Sequence, residues 1–214
     1  MTDKEKIVEY LKGGSIGKLE FQGAILKGLN LRGALLKAAD LRYADISKAE
    51  LDNSNFMESD LSGANLSKSD LMRACLKNSK ITNANFFKAD LRHADLSGCD
   101  LSGCDFTKAD LFEANVSNSN LTGAIFKSAE LYGAEFVGSN LTNCDFTDVD
   151  AEKADFSKAN LVGANLSDAV FKNANFEEAN LMGVSKNGTN MWGANLEGAN
   201  LGGIEDIQVT RDFE

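Results

Sequence analysis

From Phe21 to Leu201 a large apolar residue falls at every fifth position. The register has 37 central positions, and 35 of them hold Leu, Ile, Val, Phe or Met; the exceptions are Ala151 and Lys186. Ten of the 13 phenylalanines occupy it, so these are packing sites and not chance matches. The stretch from Ala84 reads AN-FFK, AD-LRH, AD-LSG, CD-LSG, CD-FTK, AD-LFE. Each unit has a small residue two before the centre, commonly Asp or Asn one before it, and two mostly polar or glycine residues after it. A fixed repeat of this kind is explained before any local motif.

Period five fits neither ordinary element. On an α-helix each step of five advances about 500°, which scatters the apolar residues around the axis. On a flat strand an odd step changes face each time. The pattern is satisfied when every five residues make the same bend and every central side chain points to one axis. That is a solenoid, whose coils bury one another's faces. The residue two before each centre must also point inward, where only small side chains fit between large ones. The number of bends per coil follows from columns of like residues. Lys48, Lys68, Lys88 and Lys108 lie 20 apart, as do Glu50, Asp70, Asp90, Asp110, Glu130 and Asp150, and Asn120, Asn140, Asn160, Asn180 and Asn200. Four fives therefore make one coil and stack equivalent residues ~4.8 Å apart; about nine coils give a rod ~44 Å long.

The A(D/N)LXX units resemble those of the pentapeptide-repeat family over residues 21–203. The resemblance implies an all-β, right-handed quadrilateral β-helix. Three segments are expected: a short capping helix in residues 1–15, the β-helix in 16–203, and a cap or tail in 204–214.

The ends carry their own signals. Residues 2–12 read as a helix with Thr2 or Asp3 as cap, Glu5 completing a capping box, and Ile7, Val8 and Leu11 as its apolar face. Gly13 and Gly14 stop it. Such a helix would cover the open end of the solenoid. Ile25, Leu29 and Leu35 replace small or Asp/Asn residues in the first coils, and packing against the helix is expected of them. At Val184–Gly188 the register places Lys186 inside, where an unpaired charge is costly, so a bulged corner turning Lys186 outward is expected. The other end carries Met191, Trp192, Ile204, Ile207 and Phe213. It reads as a cap or as an interface for homodimerisation.

Composition narrows the function. No apolar run approaches the ~20 residues of a membrane helix, and the charged start MTDKEKIVEY is unlike a signal peptide, so a cytoplasmic location is expected. The net charge of −10 argues against binding nucleic acid directly. Cys99, Cys104 and Cys144 fall at the small inward position, Cys75 at an outward one, and His93 is the lone histidine. This pattern points to neither a metal, a cofactor nor a catalytic centre, and no enzyme activity is expected.

The charge is unevenly spread. Residues 1–107 carry 15 basic and 15 acidic residues; residues 108–214 carry 7 and 17. The Lys48–Lys108 column is expected to offset the Glu50–Asp110 column. It then ends, giving way to Ser128, Asp148 and Asp168, while the acids continue through Glu130, Asp150 and Glu152. An uncompensated acidic stripe is the candidate protein-binding surface: Glu130, Asp148, Asp150, Glu152 and Asp168. Regular carboxylates on a rod imitate a phosphate backbone. Resemblance to quinolone-resistance-type members of the family implies DNA gyrase, a type II topoisomerase, as partner. A second column, Met72, Phe112, Tyr132 and Trp192, offers a different reading: a scaffold or adaptor that binds a protein through its side.

Overall fold

The computed structural model describes residues 2–11 and 19–202. Each five-residue side contributes one residue to a parallel ladder, and the bridges run without interruption from Glu20–Asp40 to Asn180–Asn200. Every bridge joins residues 20 apart. Four sides therefore close each coil, and residues 19–202 make about nine coils. Around Leu131 the bonding is typical. Its N–H donates to Asp150 O at 2.6 Å, Gly133 N–H to Glu152 O at 3.0 Å, and Glu130 N–H back to Ala109 O at 3.0 Å. The turn is closed by Ala134 N–H to Leu131 O at 3.0 Å. The chain has no proline, consistent with a ladder that uses its donors this fully.

Each corner needs a left-handed residue two after the centre. Glycine takes that position at Gly123 (φ +69°), but Lys48, Lys68, Lys88 and Lys108 adopt it too, with φ between 56° and 59°. The ladder on either side imposes a conformation that these side chains disfavour by ~1–2 kcal/mol each.

The Asp or Asn of each repeat has a local duty. Asp70, Asp90, Asp110 and Asp150 each accept, through Oδ1, the N–H two residues on, at 3.1, 3.2, 3.0 and 3.1 Å. This side-chain turn fixes entry to the corner.

Inside, phenylalanines stack down two columns. Phe86, Phe106, Phe126 and Phe146 lie 4.8–4.9 Å apart in near-parallel planes. Phe136, Phe156 and Phe176 do the same at 4.9–5.0 Å. Edge contacts such as Phe126–Phe136 at 5.7 Å tie the columns together. Ala151 shares a coil with Phe146 and Phe156, where a small residue leaves room for their rings. A third inward column carries Ser59, Ser79, Cys99, Ser119 and Ser139, all buried. Their polar atoms are satisfied along the rod: Ser139 Oγ donates to Val116 O at 2.8 Å and accepts Ser119 N–H at 3.1 Å.

Helix α1 (Asp3–Leu11) has the expected capping box. Thr2 N–H donates to Glu5 Oε2 at 2.7 Å, and Glu5 N–H to Thr2 Oγ1 at 3.3 Å. Its apolar face differs from expectation. Ile7 is fully buried in the core, but Val8 and Leu11 are each 39% exposed. Tyr10 replaces them, half-buried and donating its hydroxyl to Leu35 O at 2.7 Å. Ile25 and Leu35 likewise remain 63% and 65% exposed. Only Leu29 of that trio packs on the core. One short helix covers the end of the core and bonds the Leu35 carbonyl through Tyr10, but leaves the side chains of Ile25 and Leu35 exposed.

The expected bulge at Lys186 is not formed. Ser185 pairs with Asn165 and Asn190 with Val170, so the register continues through the segment. Lys186 keeps its central position and is half-buried. It belongs to the last described coil, where full enclosure is not imposed. Gly13, Gly14, Ile204, Ile207 and Phe213 lie outside the described residues.

Candidate protein-binding face

A side of the rod presents three outward columns: the corner residue before it, the bridging residue, and the first residue of the next corner. One side brings together Asp148 and Asp168, then Glu130 and Asp150, then Glu152 with Met72, Phe112, Tyr132 and Trp192. The acidic and aromatic columns, separable in the sequence, therefore share a face.

Compensation of the acids works differently from expectation. The four lysines of the Lys48–Lys108 column are exposed at left-handed corners, and none forms an ion pair among the described residues; Lys88 Nζ instead lies 5.4 Å from the centre of the Phe87 ring. Arginines in the neighbouring column do the pairing. Arg32 Nε lies 2.6 Å from Asp52 and 3.5 Å from Glu50. Arg92 forks onto Asp90, with Nε to Oδ1 at 2.9 Å, and reaches Asp110 at 3.6 Å. Partial burial works against the Asp90 charge, but the hydrogen bonds from Arg92 outweigh it and hold the carboxyl below its ordinary range. The guanidinium is raised in turn by its bond to Asp90. The signal was present as Asp90-Leu-Arg92, an acid and an arginine flanking one centre.

Past Asp110 this pairing stops. Glu130, Asp148, Asp150 and Asp168 are exposed and Glu152 is half-buried. Asp150 has its local bond to Glu152 N–H, and Asp148 accepts Ser128 Oγ at 2.8 Å. The side chains of Glu130, Glu152 and Asp168 have no hydrogen bond or ion pair among the described residues. Glu130 is one methylene longer than the Asp of the repeat and does not serve the turn.

The aromatic column is in contact along part of its length. His93 meets Phe112 edge-on at 5.6 Å, and Phe112 stacks on Tyr132 at 5.4 Å with 4° between planes. His93 Nδ1 lies 3.4 Å from Glu113. Met72, Phe112 and Tyr132 are half-buried; Trp192 is 38% exposed. Two cations unforeseen in the sequence complete it. Lys153 Nζ donates to Tyr132 Oη at 2.6 Å and sits 5.0 Å from the ring centre, and that bond raises its pKa. Lys172 Nζ sits 5.0 Å from the Trp192 ring. Met191 points inward and is 4% exposed, so it contributes to the core and not to this face.

Elsewhere the polar groups are occupied structurally. Cys99, Cys104 and Cys144 donate to the carbonyls of Leu76, Ile81 and Leu121 at 2.9–3.0 Å, and burial pushes each thiol up to about 12. Among the described residues no cluster of His, Cys, Asp or Glu is arranged to hold a metal. No described helix is long and apolar enough to cross a membrane.

Comparison with known proteins agrees with this architecture. The family model described as pentapeptide repeats matches residues 20–53, 39–78, 49–86, 84–123, 109–148 and 152–185. No curated protein matches. Among solved structures, the chain is similar to HetL, a pentapeptide repeat protein involved in heterocyst differentiation regulation from the cyanobacterium Nostoc sp. strain PCC 7120. That match has 30% identity, covers 93% of this chain and 96% of that one, and has a TM-score of 0.48. QnrB1, a plasmid-mediated fluoroquinolone resistance protein, matches at 21% identity over 91% of this chain and 89% of that one, with a TM-score of 0.63. A pentapeptide repeat protein from the Arabidopsis thaliana thylakoid lumen matches at 34% identity over 65% and 77%, with a TM-score of 0.38. With the family model spanning most of the coils, the chain belongs to the pentapeptide-repeat family and has its right-handed quadrilateral β-helix fold.

Proposed function

We propose that this protein is a noncatalytic, cytoplasmic binding protein whose acidic face occupies the DNA-binding groove of a type II topoisomerase such as DNA gyrase, as a DNA mimic that modulates quinolone sensitivity. The observation that carries the reading is the change along one face. Arg32 and Arg92 pair with Glu50, Asp52, Asp90 and Asp110, and beyond Asp110 the side chains of Glu130, Glu152 and Asp168 have no hydrogen bond or ion pair among the described residues. Carboxylates spread over three adjacent columns, with Glu130–Asp150 and Asp148–Asp168 each one coil apart, present a negative potential to a basic groove. QnrB1 shares the fold and is described as a fluoroquinolone resistance protein. Pairing of two rods through their C-terminal ends, with residues 204–214 and Trp192 near the junction, would join two acidic halves into one longer surface.

The test is a gyrase supercoiling assay with and without a quinolone. Inhibition or drug protection is expected at micromolar protein. Glu130→Lys with Asp150→Lys should weaken gyrase binding by about tenfold or more, and added salt should weaken the wild type. Gyrase activity untouched by the wild-type protein, or binding indifferent to both charge reversal and salt, overturns the reading.

The stacked Phe112–Tyr132 pair favours a second reading, an adaptor that binds a different protein through the same face. An adaptor loses its partner on Tyr132→Ala or Trp192→Ala and leaves gyrase unaffected.

A further inference from the structure

The surroundings of Tyr132 narrow the chemistry of the partner. Phe112 covers one side of its ring. Glu130 precedes it on the same coil, Asp150 pairs directly beneath Glu130, and Glu152 lies beneath Tyr132 in its own column. Core rings in successive coils are 4.8–5.0 Å apart, so all three acids fall within about one coil of the tyrosine. The face already holds a cation here: Lys153 reaches up one coil to the Tyr132 ring and hydroxyl. Lys172, one coil before Trp192 in the same column, lies over that ring from the opposite direction. In each case a lysine from the chain itself, exposed at Lys153 and half-buried at Lys172, occupies an aromatic platform, while neighbouring carboxylates on the face have no ion pair among the described residues.

A lysine ammonium is a compact point charge whose three donors point in tetrahedral directions, with no planar fork and no flat face to lay on a ring. A guanidinium is planar: it can lie on a ring while its N–H groups fork to carboxylates in its own plane. A ring beside several unpaired carboxylates therefore suits arginine better than lysine.

We propose that this face is a docking surface for an arginine-bearing segment of a partner protein, in which a guanidinium displaces the Lys153 ammonium from Tyr132 and pairs with Glu130 and Glu152. This deepens the reading above and rests on it only in that the acidic face binds protein. Lys153 acts as an internal competitor for the platform.

The experiment uses the full chain and two labelled peptides, six Gly-Arg repeats and six Gly-Lys repeats, with binding followed by fluorescence anisotropy at fixed salt. The arginine peptide is expected to bind about fivefold tighter or better. Tyr132→Leu should bring the two affinities together and leave the lysine peptide little changed. Glu130→Gln with Glu152→Gln should weaken both peptides. Lys153→Met should tighten the arginine peptide by about threefold, a gain that misfolding cannot produce. Equal affinity for the two peptides, an arginine preference that survives Tyr132→Leu, or no gain in Lys153→Met overturns the inference. Gyrase binding that is lost in Glu130→Lys with Asp150→Lys but unchanged in Tyr132→Leu overturns it alone. Arginine-selective binding by a chain that leaves gyrase untouched supports it and overturns only the topoisomerase assignment.

Discussion

Replacing Ser139 by alanine tests how the interior of the rod tolerates polar groups. Ser139 Oγ bonds two main-chain groups, accepting Ser119 N–H at 3.1 Å and donating to Val116 O at 2.8 Å. The usual turn bond between these two groups is not made, so Ser139→Ala leaves a donor and an acceptor without partners. Both belong to buried residues. Ser79 is the control three coils earlier in the same column. It also donates to a carbonyl, Phe56 O at 2.7 Å, and accepts Ser59 N–H at 3.2 Å. There, however, Ser59 N–H also reaches Phe56 O at 3.0 Å, so Ser79→Ala leaves neither group bare. Loss of a net hydrogen bond is worth ~0.5–1.5 kcal/mol, and leaving a buried polar group unsatisfied costs ~1–3 kcal/mol. Ser139→Ala should therefore be less stable than Ser79→Ala by ~1–2 kcal/mol, a difference of roughly 2–8 °C in melting temperature for a chain of this size. Thermal melts give the ranking. Hydrogen exchange at Ser119 N–H locates the loss, which is needed because repeat arrays can open in sections. Equal melting of the two variants, or a less stable Ser79→Ala, refutes the reasoning.

The three buried thiols should govern alkaline behaviour. Their folded pKa of about 12 lies above the ordinary value of 9.0. Between those values the unfolded chain releases protons that the folded chain retains, so stability present below pH ~9 falls as pH rises toward 12. A thiol reagent at pH 8 should label Cys75 alone in the native state and all four cysteines after denaturation; rapid native labelling of Cys99, Cys104 or Cys144 contradicts their burial. At the other end, Ile7→Asp should uncover the first coil. A melting temperature lower by several degrees, with concentration-dependent association seen by light scattering, is the expected result. A monomeric, fully stable variant would show that α1 is not the cap.

Fold and face were unequally legible in the sequence. Packing writes the same demand into every fifth residue, and stacking writes it again every twentieth, so the coil count and the inward column of Cys99 and Ser119 could be read directly. The acidic stripe was legible because a column gap, Lys108 to Ser128, is a change within a repeat. Its compensation was misplaced. Lys48–Lys108 align with the acids in sequence, but a left-handed corner sends them outward, and arginine beside the bridging residue reaches the carboxylates instead. The Lys153–Tyr132 contact was hidden for a different reason: its spacing of 21 combines one coil with one corner step and forms no column. Ile25 and Leu35 misled because an apolar residue at an outward position implies a cover, and the only described helix buries Ile7 over the core end.

The repeat itself separates structural acids from available ones. Asp at the bridging position closes the turn through Oδ1, so Asp70, Asp90 and Asp110 would be present whatever the protein bound. Their abundance says nothing about function. Glu130 and Glu152 are different: the first stands where the turn prefers Asp or Asn, the second in a corner with no such duty, and neither forms a hydrogen bond or ion pair among the described residues. Exchanging Glu130 for Asp would restore the turn bond and retract the carboxylate by one methylene. If the position serves the fold, that change stabilises the rod and leaves partner binding alone. If it serves the face, binding weakens while stability holds or rises, and the opposing directions of the two measurements assign the residue.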